Sequence, residues 1–208
     1  MNKIKFSSFG QTPIDEDEKH DLIPDLDTLD DLNIFEQENI IEAQKWVGGS
    51  NIIKKSDLLD FDFLTKLHKK MFDKTWKWAG QLRKTDKNIG CDPNKIRIEL
   101  KNLQNDFKFW VDNQTYSIKQ IALVVHHRLV KIHIFPNGNG RHARLVADCI
   151  IRKFDPTKKI DWSGKNLLGK KFESIDELRK NYIQSLRKAD YGNYQNLFKL
   201  FDAQPKTT

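Results

Sequence analysis

The chain has 208 residues, with 36 Lys+Arg against 29 Asp+Glu, a formal charge of +7, two cysteines and five tryptophans. That length makes one domain, or a domain with an appended arm, and 38% hydrophobic with 11% aromatic residues excludes wholesale disorder. The longest uninterrupted apolar run, Ile121 to Val125, is far short of the ~20 residues that span a bilayer, and residues 1–10 lack the apolar stretch of a secretory signal. The expected setting is therefore cytoplasmic, with no membrane partner. Cys91 and Cys149 fit no metal-ligand spacing and are expected to stay reduced.

The net charge hides an asymmetry. Between Asp15 and Glu38 eleven acids stand against one base, Lys19, a local charge of −10 that leaves +17 elsewhere. A basic body with an acidic arm suits a polyanionic partner, although a solvated acidic loop and ordinary surface lysines would give the same numbers.

In chain order, Phe35, Ile40, Ile41, Ala43 and Val47 predict a first helix over 35–47, stopped by Gly48-Gly49-Ser50. Ser56 is a candidate cap for a second, whose face carries Leu59, Phe63, Leu67 and Met71. Residues 81–98 lose this period and, with Asn88, Gly90 and Asp92-Pro93-Asn94, read as a hairpin-like excursion. Helix resumes from about Asn94 or Lys95 to Trp110. Ser117-Ile-Lys-Gln120 is a capping box that opens a helix ending at His133. A Pro- and Gly-rich turn, Phe135-Pro-Asn-Gly-Asn-Gly140, leads into a helix over about 141–154, with Ala143, Val146, Ala147, Ile150 and Phe154 as its core stripe. A capping box at Ser174-Ile-Asp-Glu177 opens a helix to about Ala189, and a short terminal helix carries Leu197, Leu200 and Phe201. Gly164 to Lys171 nearly spells a P-loop, but it lacks the final Ser/Thr and reads as a basic loop.

The chemistry concentrates in HIFPNGNGRHAR, residues 133–144. A helix ends on a histidine, two glycines let the chain turn tightly, and a helix restarts at once with bare N–H groups and a dipole that favour an anion. Arg141 and Arg144, three apart, add donors suited to phosphate oxygens, and His133 at the rim is the candidate general base.

These twelve positions resemble the Fic signature, His-x-Phe-x-(Asp/Glu)-Gly-Asn-Gly-Arg-x-x-Arg. Trp76-Lys-Trp-Ala-Gly80, Lys87-Asn-Ile-Gly90, His127-Arg-Leu-Val-Lys-Ile-His133 and the ending from Tyr182 to Tyr194 extend the resemblance, which is similar to the Fic subgroup called mobile mystery protein B. The resemblance implies an all-α fold, a Fic-type helical bundle with a small β-hairpin flap. With the acidic stretch read as an N-terminal arm at 1–34, the expected organisation is a Fic domain at 35–203 with a candidate inhibitory helix at 35–47, and a tail at 204–208. The implied reaction moves AMP, or another NMP, from ATP or another NTP to a Ser, Thr or Tyr hydroxyl of a target protein. His133 would take the hydroxyl proton, and Gly138, Asn139 and Gly140 would cradle the phosphates. Arg141 and Arg144 would hold the β/γ portion, and Tyr182 would line the base pocket. Asn137 stands where the family's Mg²⁺-binding acid usually sits, and becomes a neutral candidate ligand for Mg²⁺. The flap at 81–98 would dock the target by strand addition. Glu38-Asn39 matches part of the family's inhibitory signature, so Glu38 is expected to engage Arg144, and a regulatory partner protein has a place in this scheme.

Three other readings stay open: a Fic-fold enzyme that removes AMP, a catalytically silent partner, and a basic nucleic-acid binder using Trp76, Trp78 and the lysines of 158–171. No nucleic-acid motif is present, and a nucleic-acid partner is not expected. His126, His127, His133 and His142 could suggest a metal site, but no accompanying carboxylate or cysteine spacing supports one; His126 and His127 are expected as packed helix residues.

Overall fold

In the computed structural model the described residues are 20–26, 28–49, 51–163 and 174–203. Most of the acidic arm, the near P-loop and the tail at 204–208 lie outside the described residues. Among those described, the helices are α1 (Leu29–Gly49), α2 (Ile52–Lys55), α3 (Phe61–Phe72), α4 (Ile96–Asp112), α5 (Ile118–Ile132), α6 (Asn139–Phe154), α7 (Ile175–Ala189) and α8 (Gln195–Leu200). The expected all-helical class holds.

Helix starts follow local hydrogen bonding. α1 begins at Leu29 rather than Phe35, because the Thr28 hydroxyl accepts from the Asp31 N–H at 3.1 Å and Asp30 and Asp31 complement the helix dipole. Asp60, not Ser56, caps α3 by accepting from the N–H groups of Asp62 and Phe63, while Ser56 ends α2. The Ser117–Gln120 box forms in full, with Gln120 N–H donating to Ser117 Oγ at 3.3 Å and Ser117 N–H to Gln120 Oε1 at 3.0 Å.

α5 and α6 form the central pair, and buried Ala122, Ala143 and Ala147 let small surfaces meet between bulkier Leu and Ile side chains. α4 packs on α5, and α1 lies along α3 with Leu32, Ile40, Ala43 and Val47 buried. Phe154, expected in the core stripe of α6, is instead 44% exposed, at the last position of the helix. Trp76 and Trp78 are buried and stacked with ring centroids 5.0 Å apart, so neither can offer a face to a nucleic-acid base.

The excursion after Gly80 differs from the expected hairpin. Among the described residues, 81–92 contain no strand, because their backbone pairs with the end of α5 rather than across the excursion. Arg83 N–H donates to Ile134 C=O at 3.1 Å and Cys91 N–H to Ile132 C=O at 3.4 Å.

His68, His126, His127, His133 and His142 are all buried. Burial holds each below its ordinary range, to about 4 for His133 and His142. At His133 and His142 the unfolded chain binds a proton near pH 6.5 and the folded protein only near pH 4, so their contribution to stability is complete above pH 6.5 and is lost as pH falls through this window. His133 and His142 should each cost about 3 kcal/mol at pH 4 relative to pH 7. Thermal melts by circular dichroism between pH 4 and 7 should show a steep fall in Tm below about pH 6.

Candidate active site

The site is a corner between two helices. α5 ends on His133 in the left-handed region, φ 56° and ψ 66°, and the chain crosses Ile134 and Phe135, both buried, to restart at Asn139. The Asn139 side chain closes this turn. Its Oδ1 accepts from Phe135 N–H at 2.9 Å and its Nδ2 donates to Phe135 C=O at 2.8 Å. The amide predicted to touch phosphate is thus committed to building the loop.

His68 of α3 braces the turn from behind. Gly80 N–H donates to its Nδ1 at 2.9 Å, so Nε2 carries the proton and donates to Asn137 C=O at 3.1 Å. Its ring stacks on Phe135 with centroids 3.6 Å apart. His142 Nε2 donates to Leu64 C=O at 3.0 Å, tying α6 to the same helix. Gly138 sits at φ 76°, where a Cβ would lie 2.6 Å from Phe72 Cε2. Gly140 is different: a Cβ there meets no atom within 4 Å. No neighbour in the fold demands that glycine, whereas a closely approaching ligand would.

Gly138 caps α6 without a side-chain hydrogen bond, leaving the first-turn N–H groups without partners within the helix. The two arginines have different neighbours. Arg141 lies over the Phe72 ring at 4.9 Å, and Arg144 over the Tyr182 ring at 5.4 Å. Arg144 Nε is buried without a hydrogen bond. Tyr182 shares a 2.6 Å hydrogen bond with His126 Nε2, and burial raises its hydroxyl pKa.

A carboxylate does reach a motif arginine, but it is Glu36 and the arginine is Arg141. Glu36 is 5% exposed, pairs with Arg141 through its Oε2 and accepts Trp76 Nε1–H on its Oε1 at 2.8 Å. Glu38, expected at Arg144, is exposed. The reason is helical phase: Leu32, Glu36, Ile40, Ala43 and Val47 form the buried stripe of α1, and two residues on from Glu36 the helix has turned by about 200°.

His133 is 2% exposed, and neither ring nitrogen makes a hydrogen bond of normal geometry. Burial first, then the Arg83 guanidinium, depress its pKa to about 4, with the Val130 carbonyl opposing, so the imidazole is neutral at pH 7 and can accept a proton. Asn137 suits Mg²⁺ poorly. Its Oδ1 accepts from Gly138 N–H at 2.6 Å, and among the described residues no cluster of three His, Cys, Asp or Glu could hold a metal. The residues present do not fit a protein-held Mg²⁺. His127 is bound by Tyr194 OH at 3.1 Å and Asp190 at 3.0 Å, and both α5 histidines are packed helix residues as expected.

Sequence reading missed Glu36, His68 and Arg83. Only Glu36 left a signal, its place in the apolar stripe of α1.

Fold and site together define a helical protein with an anion-ready helix start beside a neutral, buried histidine. Residues 58–151, a little under half of the chain, match the model of the Fic/DOC family. It is 29% identical over 116 residues to a protein named protein adenylyltransferase Fic of Nematostella vectensis, covering 54% of this chain and 27% of the relative. The chain thus spans about a quarter of the length of the curated relatives it matches. Among solved structures it resembles Fic-1 of Caenorhabditis elegans, with a TM-score of 0.65 at 21% identity over 88% of this chain and 51% of that one. It also resembles BepC of Bartonella tribocorum, solved with bound AMPPNP, with a TM-score of 0.60 at 20% identity over 86% and 89%.

The two turn glycines should separate by experiment. Gly138→Ala should destabilise the protein by about 1–3 kcal/mol through strain and collision with Phe72. Gly140→Ala should leave stability unchanged or raise it by up to about 1 kcal/mol, yet weaken binding of an ATP analogue about tenfold. Thermal melts and fluorescence titration check both.

Proposed function

We propose that this protein transfers the AMP part of ATP, or the matching part of another NTP, to a Ser, Thr or Tyr hydroxyl of a target protein. The observation that carries this reading is the neutral His133 beside a helix start whose N–H groups are bare and whose first two turns bear Arg141 and Arg144. Names of the relatives and the nucleotide analogue held by BepC support it.

In this mechanism the first-turn N–H groups of α6 hold phosphate oxygens, and Arg141 and Arg144 take up the charge of the β/γ portion. The target hydroxyl attacks the α-phosphorus, its proton passes to His133, the α–β anhydride bond breaks and pyrophosphate leaves. Positioning and charge supply most of the acceleration. Mg²⁺ enters this reading only as part of the nucleotide substrate. The target docks along residues 81–98, where Ile89 is 47% exposed. Both thiols are free, which suits a cytoplasmic setting.

Glu36 is the inhibitory residue in this reading, in place of Glu38. While it holds Arg141, the arginine cannot serve the nucleotide, and a regulatory partner that lifts α1 would release it.

Incubation with α-labelled ATP and a lysate, read by autoradiography and mass spectrometry, tests the reading. His133→Ala should lower labelling at least about 10²-fold. Glu36→Gln, which keeps an acceptor for Trp76 but removes the charge on Arg141, should raise labelling about tenfold, while Glu38→Gln should not change it. Labelling that survives His133→Ala overturns the mechanism.

A further inference from the structure

His133 has an unusual burden for a general base: a non-glycine residue in left-handed backbone at the end of a helix, with no hydrogen bond of normal geometry to fix its ring. Such a conformation persists only where its surroundings hold it. The chain segment over it is 81–92, and two side chains there reach the corner: Cys91, whose thiol donates to Ile132 C=O at 3.5 Å, and Arg83.

Arg83 is 3% exposed and spends its guanidinium on main-chain carbonyls. Nε donates to His133 C=O at 2.5 Å, Nη1 to Thr85 C=O at 2.9 Å, and Nη2 to Cys91 C=O and, at 3.4 Å, to Ile132 C=O. Its own N–H donates to Ile134 C=O at 3.1 Å. The carbonyls of Ile132, His133 and Ile134, the base and both its neighbours, thus all bond to one residue, which also gathers both limbs of the flap. Gly90 completes the clasp. At φ 125° it passes so close that a Cβ would lie 2.7 Å from Arg83 Nη2 and 2.9 Å from His133 Cβ. Among the described residues no carboxylate pairs with Arg83, so its full charge acts on the corner beside the ring. Lys87, on the same segment, is the other charged group acting on His133.

We infer that Arg83 is the positioning residue of the catalytic base: its planar fork fixes the backbone of His133 and latches the flap over it. A lysine cannot replace it, since one ammonium cannot span carbonyls that lie on both sides of the corner. Arg83 itself exchanges no proton and is not placed on the nucleotide. This inference rests on the reading of His133 as the base, but its first measurement does not need activity.

The experiment follows His133 by NMR titration of its imidazole in the substrate-free protein and its Arg83→Gln and Arg83→Lys variants, then records labelling rates against pH. Arg83→Gln should raise the His133 midpoint by about one pH unit or more, move the acid limb of the rate upward equally, and lower kcat at least about tenfold with KM for ATP within about twofold. Arg83→Lys, retaining the charge, should move the midpoint less but lower kcat comparably. If Arg83→Gln does not fold, the kcat and KM split in Arg83→Lys decides. A His133 midpoint and kcat unmoved in a folded variant overturn the inference. A shifted midpoint in a protein that labels nothing would uphold the positioning role and remove the transferase reading instead.

Discussion

A backbone anion site has to keep its outer face free of side chains, so everything that holds it must press from behind. In this chain the Phe135–Gly140 turn satisfies that constraint by spending Asn139 on the main chain of Phe135 and by stacking Phe135 on His68. His68 in turn depends on two backbone partners, Gly80 N–H and the Asn137 carbonyl, so the buried tryptophan segment and the turn become one unit. A fully buried polar ring of this kind is tolerable because both nitrogens are satisfied. Losing either partner would leave a buried polar atom unpaired, at a cost of about 1–3 kcal/mol.

The same corner solves an electrostatic problem. Three guanidinium groups belong to this region, of which Arg83 is the one that acts on His133, and each is compensated differently. Arg83 uses carbonyl dipoles, Arg141 a carboxylate and the Phe72 face, and Arg144 the Tyr182 ring. Carbonyl dipoles stabilise a cation without adding a competing anion, so the net field at the turn stays positive. That field favours an anion and disfavours imidazolium together, the two properties that the proposed nucleotide-dependent base would require.

Much of this was legible in the sequence. The helix from Ser117, the turn and the helix after it were readable because capping boxes, glycines and apolar period are local signals. The site's backs were not. His68 and Arg83 lie 65 and 50 residues before His133, and no short-range pattern marks a histidine that will bind a glycine N–H or an arginine that will bind carbonyls. The hairpin expectation failed for the same reason: residues 81–92 have turn-like composition, but their N–H groups answer to α5 across the fold. The misassignment of Glu38 was of another kind. A short signature, Glu-Asn, outweighed the helical period, although Leu32, Ile40, Ala43 and Val47 place Glu36 in the buried stripe.

Two covers therefore meet over one corner, and their physics differ. Glu36 reaches Arg141 as a single ion pair whose arginine side is 36% exposed, so ionic strength and a competing triphosphate both act on it directly. The flap is held by buried bonds from a charged donor to neutral carbonyls, which salt screens little and no anion can displace. A nucleotide can compete with the first cover but not with the second. On the transferase reading proposed above, nucleotide entry would thus be controlled by charge competition at α1, while the segment held by Arg83 stays in place over His133. On that reading a target that brings its own backbone N–H and C=O groups to the outer side of that segment would dock on a surface already fixed against His133, so that docking needs no break in the Arg83 bonds that hold the base.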